Sequence, residues 1–262
     1  MIKLVVTDID GTLLPEGTDQ LNPELFDIVR ELKKKDILFV AASGRQYGSM
    51  RYLFQPVEND IFFIAENGSN VMYQGKNVSS NFMDEAIAKE VVTYFRTLKE
   101  CEIVLSVPEN LYLERENPEL LDLLLNGYHN TVKTTDDLIA LCGKTNKISA
   151  YRKDGIAVEA KGIQERFSSR LNTVVAGDPW IDLMDLTADK GNALQYLQKQ
   201  MQISKEETMA FGDNCNDIGM LRCAAESYAV ANAAPEVKKA AKYIAPSNTE
   251  DGVLQILREK LL

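Results

Sequence analysis

Residues 5–14 read VVTDIDGTLL. An apolar, β-branched run from Lys3 to Thr7 suits a buried strand of a parallel sheet. It ends in two carboxylates, Asp8 and Asp10, just before Gly11-Thr12. Two like charges that close repel unless something positive lies between them or they take different jobs. On a regular strand their side chains would point the same way. Gly11 permits a sharp departure from the strand, so the two carboxylates can part. One can then attack as a nucleophile, while the other protonates a leaving group and later activates water.

Outward from this stretch the chain alternates strand and helix. Asn22-Pro23 reads as an N-cap and first helical residue. The helix carries Leu25, Ile28, Val29 and Leu32 on one face and ends in Lys33-Lys34-Lys35. Ile37 to Ala42 and Ile61 to Ala65 read as buried strands, and residues 70–73 and 77–80 as a hairpin. Strand, helix, strand with short connections implies parallel pairing through right-handed crossovers. From Phe82 the order becomes mixed. Helices are expected over Asp84 to Leu98, Pro118 to Leu125 and Ala157 to Leu171. Strands are expected over Ile103 to Val107, Leu111 to Glu114, Lys147 to Arg152, Asn172 to Ala176 and Trp180 to Met184. After Asp185 the α/β rhythm returns, with helices from Lys190, Asp217, Pro235 and Glu250 and strands at Thr208 to Phe211 and Tyr228 to Val230. The expected fold is α/β: a Rossmann-like parallel-sheet core built from residues 1–81 and 186–262, with an inserted α+β cap domain over 82–185.

The chain has 262 residues, 45% hydrophobic and 26% charged, which is enough to bury a core without disulfide or metal staples. Its net charge of −10 argues against nucleic acid or an anionic membrane as partner. It does not argue against an anionic substrate, because a bound cation inverts the field locally. The four cysteines, Cys101, Cys142, Cys215 and Cys223, form no Cys-x-x-Cys pair, and His129 is the only histidine, so a zinc site is not expected. With no basic-then-apolar leader and no long apolar run, the expectation is a cytoplasmic protein, a monomer or small homo-oligomer.

Four core segments place polar residues just after a strand or at a helix start: Asp8 to Thr12, Ser43-Gly44-Arg45, Lys190-Gly191 and Gly212 to Asp217. In an open parallel sheet, ligands bind outside the carboxyl ends of the strands. Asp8, Asp10, Asp213 and Asp217 converging with only Lys190 and Arg45 leave a negative excess. Carboxylate, carbonyl and water ligands without histidine or thiolate suit Mg2+, which shares its shell with substrate phosphate. Ser43, Gly44 and Lys190 offer a phosphate a hydroxyl, a close backbone N–H and an ammonium. Taken singly these segments read as a solvated turn, a strand-to-helix connection or an acidic helix cap. Their conjunction carries the chemistry.

DIDGT (8–12), SGR (43–45), ENG (66–68), DKGNAL (189–194) and GDNCNDIGML (212–221), in this order, closely resemble the haloacid dehalogenase-like superfamily and its Cof-type sugar-phosphatase subfamily. AVANA (229–233) fits too, and the insertion lies where that subfamily carries its cap. The resemblance implies a magnesium-dependent phosphatase of small phosphorylated metabolites, sugar phosphates foremost, working through a phosphoaspartate under a cap that opens and closes. It implies Asp8 as nucleophile and metal ligand. Asp10 becomes the acid/base and gives its carbonyl to the metal, and Asp213 is a further ligand. The Ile9 N–H, Ser43, Gly44 and Asn216 hold the phosphoryl group, and Lys190 bridges it to Asp8. Asp217 and Thr12 support these residues from behind, and Arg45 faces the leaving group. The alternatives are a phosphosugar mutase of the same superfamily and an aspartyl-phosphate switch without turnover. Receiver-like switches, however, carry no such insertion. Cys215 and His129 read as incidental and Trp180 as cap core. Glu114, Arg115, Lys147, Arg152 and Asp182 are expected to be solvated.

Overall fold

The computed structural model describes residues 1–15, 18 and 20–262. In chain order the elements are β1 (Leu4–Asp8), α1 (Glu24–Lys34), β2 (Leu38–Ala42), α2 (Tyr47–Leu53), β3 (Phe62–Ala65), β4 (Asn70–Tyr73) and β5 (Lys76–Ser80). There follow α3 (Glu85–Phe95), β6 (Glu102–Val107), β7 (Asn110–Leu113), α4 (Pro118–Asp122), β8 (Val132–Thr134), β9 (Lys147–Tyr151), α5 (Ala157–Phe167), β10 (Leu171–Val175) and β11 (Trp180–Asp185). The last quarter holds α6 (Lys190–Met201), β12 (Thr208–Gly212), α7 (Ile218–Arg222), β13 (Glu226–Val230), α8 (Pro235–Ala240), β14 (Tyr243–Ala245) and α9 (Gly252–Leu261). These residues form two compact units. One comprises Met1–Arg45, Met50–Val78 and Asp189–Leu262, the other Gln46–Ser49 and Ser79–Ala188.

Among the described residues, the first unit carries a sheet in the order β14-β13-β12-β1-β2-β3-β4-β5. Pairing is parallel from β14 to β3 and turns antiparallel between β3 and β4. The inner strands are short and mostly apolar, and β1 is buried at every position, Asp8 at its end included, as a sheet covered on both faces requires. Helix α1 packs Leu25, Ile28, Val29 and Leu32 inward, with Glu24 and Asp27 in its first turn and Lys33 and Lys34 in its last, both favourable to the helix dipole. It begins at Glu24 rather than Pro23, and Asn22 Oδ1 accepts from the Glu24 amide at 3.0 Å. Register matters most for the site. Asp8 lies opposite Ala42, and Thr7 lies opposite Phe211. The residues that leave β1, β2 and β12 at their carboxyl ends are therefore neighbours.

The second unit is a sheet in the order β10-β11-β9-β6-β7-β8, antiparallel except for β7 with β8. Val91 and Phe95 of α3 and Ile163 and Phe167 of α5 form a core with Ile148, Ile181 and Leu183 of the sheet, and Ile87, Tyr94 and Leu98 pack at its margin. Alternation along the strands sends Lys147 and Asp182 to the other face. The expectation that these two are solvated is wrong. Both are buried, 3.3 Å apart, and Ser149 Oγ donates to Asp182 Oδ1 at 2.6 Å. A paired charge can be buried where a lone one cannot. Trp180 is partly buried, its ring 4.6 Å from that of Tyr151.

Two short strands and one helix have no counterpart in the sequence reading. β8 (VKT) and β14 (YIA) are mostly exposed edge strands and carry no periodic apolar signal. Helix α2 follows Ser43-Gly44-Arg45 directly. Helix α5 stops at Phe167, not Leu171. Leu171 fits the helical period but pairs instead with Asp185 to open β10. No helix among the described residues is long and apolar enough to cross a membrane.

Candidate active site

Asp8 closes β1 and Lys190 opens α6, whose N-cap Asp189 accepts from the amides of Gly191 (2.8 Å) and Asn192 (3.1 Å). That cap fixes the helix start and with it the root of the Lys190 side chain. Lys190 is almost wholly buried. Its Nζ donates to Asp8 Oδ1 at 2.5 Å and to Asp217 Oδ1 at 2.7 Å. The second oxygen of Asp217 accepts from the Asp213 and Asn214 amides, each at 3.0 Å, so both its oxygens are engaged. Asp8 Oδ2 is buried with no hydrogen-bond partner. Asp213 takes a hydrogen bond from Thr12 Oγ1 at 2.8 Å.

One carboxylate oxygen from each of Asp8, Asp213 and Asp217 lies within 4.8 Å of the others. Three carboxylates face one ammonium, and that imbalance bears on protonation at the site. Burial pushes the Asp8 carboxyl well above its ordinary value, the Asp217 charge adds to this, and Lys190 only partly opposes it. Asp213 is raised by burial too, against its bond from Thr12. Burial alone would lower Lys190, but the Asp217 and Asp8 carboxylates outweigh it and hold the ammonium charged. The unpartnered Asp8 oxygen and the surplus of hard oxygen donors fit a divalent cation.

A second group sits beside it. Ser43 Oγ donates to Asp10 Oδ2 at 3.2 Å. Arg45 donates to Asp10 from Nε at 2.9 Å and from Nη2 at 2.6 Å. Asp10, half exposed, is thus not a member of the Asp8 cluster, and the two carboxylates do part after the strand. Arg45, read from sequence as facing the leaving group, is here the ionic partner of Asp10.

Four of the phosphate-binding candidates, Ser43, Gly44, Arg45 and Asn216, meet at the ENG turn, which has no residue role in the sequence reading. Glu66, Asn67 and Gly68 have φ of 51°, 56° and 98°, three consecutive left-handed residues. Such strain gathers at functional sites. The Glu66 amide donates to Arg45 O and the Asn67 amide to Ser43 O, each at 2.9 Å. Asn216 Nδ2 donates to Asn67 Oδ1 at 2.9 Å, and the Asn67 amide group lies against Gly44. A Cβ on Gly68 would strike the Asp189 carbonyl. Asn67 therefore ties together three of the motif segments. Ile9 is buried, and its carbonyl accepts from the Leu13 and Leu14 amides. Cys215 and His129 are exposed.

A family model described as haloacid dehalogenase-like hydrolase matches residues 5–257. The chain belongs to the haloacid dehalogenase-like hydrolases. It is 31% identical over 261 residues to the 5-amino-6-(5-phospho-D-ribitylamino)uracil phosphatase YbjI of Escherichia coli (strain K12), covering 99% of this chain and 96% of that one. A crystal structure from Eubacterium rectale superposes with a TM-score of 0.89 at 32% identity, covering 99% of each chain. A protein from Thermotoga maritima does so with a TM-score of 0.87 at 25% identity, covering 100% of this chain and 98% of that one. This member of the haloacid dehalogenase-like family has the family's parallel-sheet core plus cap, and it is an enzyme, a phosphoric monoester hydrolase.

Proposed function

We propose that this phosphatase hydrolyses small phosphorylated metabolites, sugar and polyol phosphates foremost, through a phosphoaspartate on Asp8. The carrying observation is the buried Lys190 between Asp8 and Asp217, with the other Asp8 oxygen left unpartnered. Lys190 fixes the Asp8 carboxylate for attack and partly offsets the burial that raises its pKa, the rest of that cost falling to a bound cation. In the first step the Asp8 carboxylate bonds to phosphorus, the bond to the leaving oxygen breaks, and Asp10 gives that oxygen a proton. In the second, Asp10 takes a proton from water, the water oxygen bonds to phosphorus, and the Asp8–phosphorus bond breaks. Ser43, Gly44, the Ile9 amide and Asn216 hold the phosphoryl oxygens, with Asn216 kept in orientation by Asn67. Asp8, Asp213 and the Asp10 carbonyl would hold Mg2+, which when bound offsets phosphoryl and carboxylate charge. Asp217, both of whose oxygens are taken, positions Lys190 and the 213–214 backbone rather than the cation.

We keep residues 1–81 with 186–262 as the catalytic part and 82–185 as the inserted cap. The substrate for which the Escherichia coli relative is named carries its phosphate on a ribityl chain, which supports a polyol alkoxide as leaving group here. The four free cysteines support a reducing, cytoplasmic setting.

Phosphate release measured over a panel of phosphorylated metabolites, with Mg2+ and then with EDTA, tests the reading. Repeated turnover on sugar or polyol phosphates is expected, lost with EDTA and lost by at least about 10³-fold in Asp8→Asn, because the nucleophile is gone. Turnover that survives EDTA or Asp8→Asn overturns it, as does isomerisation of a phosphosugar without net phosphate release.

A further inference from the structure

The carbonyl of Gly11 lies in the turn that follows Asp10, and two side-chain amides from the last quarter of the chain converge on it. Asn232 Nδ2 donates to Gly11 O at 2.7 Å and Asn248 Nδ2 donates to it at 3.0 Å. Asn248 Nδ2 also reaches Leu14 O at 3.4 Å. The two asparagines are locked together, since the Asn248 backbone amide donates to Asn232 Oδ1 at 3.0 Å. That bond settles which way round the Asn232 amide lies. Its oxygen is taken by a donor, so its NH2 group faces Gly11. Asn248 is buried and meets two carbonyls, so its NH2 group faces them. Asn232 follows β13 and Asn248 follows β14, so both stand at the same edge of the sheet as Asp8.

We infer that Asn232 and Asn248 form an amide clamp on the Asp10–Leu14 turn and are positioning residues for proton transfer by Asp10. The inference rests on the proposed acid/base role of Asp10. Gly11 sits at φ 85°, a conformation open chiefly to glycine, and is the natural hinge of the turn. Beyond Gly11 the turn is held by its own bonds, Gly11 N to Leu14 O at 2.9 Å and Leu14 N to Ile9 O at 2.8 Å. These close the turn on itself; Thr12 Oγ1 ties it to Asp213, Ser43 and Arg45 hold the Asp10 side chain, and the asparagines anchor the Gly11 backbone to the loops after β13 and β14. A half-exposed Asp10 must stay within hydrogen-bond reach of a departing oxygen. A misplacement of about 1 Å can cost on the order of 10²-fold.

Leaving-group dependence is the test. In the first step an alkyl phosphate needs the proton from Asp10, and acetyl phosphate, whose leaving group is a stable carboxylate, does not. kcat/KM reports that first step and is free of the later hydrolysis of the phosphoenzyme. Asn232→Ala and Asn248→Asp, assayed with Mg2+, are expected to lose about 30-fold or more in kcat/KM on glycerol phosphate, within the span of general acid catalysis. The loss on acetyl phosphate should stay below about threefold. Asn232 is exposed, so its alanine variant should keep the wild-type melting temperature, and a folded Asn232→Ala alone decides the matter if Asn248→Asp unfolds. Equal losses on both substrates, or no loss on either, overturn the clamp. A wild-type enzyme that turns over neither substrate overturns the functional reading instead.

Discussion

Lys190 is the residue to which the site is most sensitive, because its ammonium bonds two buried carboxylates at once, Asp8 and Asp217. Removing one partner of a buried ionic group leaves uncompensated charge and costs about 3–5 kcal/mol. Lys190→Met is expected to lower stability by about that much when measured in EDTA, where no cation stands in for the ammonium, and to abolish turnover when assayed with Mg2+. Lys190→Met with Asp217→Asn should regain part of the stability and none of the activity. An unchanged melting temperature in the single variant would contradict the pairing. At this scale the sequence showed the charged residues but not all their partners. Asp8, Asp213 and Lys190 stand out because each sits at a strand end or helix start. Asn67 meets Asn216 across 149 positions and Asn232 meets Gly11 across 221. An asparagine in a loop carries no periodic signal, so nothing local marks these pairs. Arg45, which the resemblance places facing the leaving group, also donates to Asp10, and only the structure brings that pair together.

At the scale of elements, helix α6 does one thing for the site: it delivers Lys190. Its register is set by Asp189, which caps two amides of its first turn. Asp189→Ala is expected to cost about 1 kcal/mol, the usual loss of an N-cap. Because Lys190 is the first helical residue, the same change should also lower kcat by more than that stability loss explains. A melting curve and a saturation curve on one preparation separate the two effects, and an unchanged kcat would show that the cap does not set the position of Lys190. The inner strands and the helices other than α2 were legible from their apolar periods. The short edge strands β8 and β14 were not, because exposed segments have no burial pattern to read. The end of α5 was misplaced because Leu171 satisfies the helical period and the strand pattern equally well, and the pairing with β11 decides between them.

Over the whole molecule the relevant quantity is charge, −10 in sum, with three carboxylates, two of them buried, gathered at one point. The Asp8 carboxyl is raised in the folded protein above its ordinary value of 3.8. Its protonated form is therefore favoured by folding. That contribution is full below the ordinary value and is lost as pH rises through the raised one, when a buried charge must be carried. A divalent cation removes this cost, so stabilisation by Mg2+ should be small in acid and grow towards neutral pH. At a hundredfold excess over its dissociation constant, the cation should add about 2.7 kcal/mol, a rise in Tm of roughly 5–10 °C for a chain of this size. A thermal-shift series in Mg2+ and EDTA from acid to neutral pH measures it. A shift independent of pH would show that the cation does not bind at the Asp8 carboxylate.

By itself the sequence determined the alternation of strands and helices, the end of β1 as the place for two carboxylates, and an oxygen-rich, acidic donor set without histidine or thiolate. These follow from local periodicity and residue chemistry, which act over a few residues. Only the tertiary structure decided that Asp8 and Asp10 separate to different partners, that Lys147 and Asp182 neutralise each other inside the second unit, and that asparagines from three distant loops orient the site. Hydrogen bonds depend on distance and direction in space, and the register of β1 with β2 and β12 sets both.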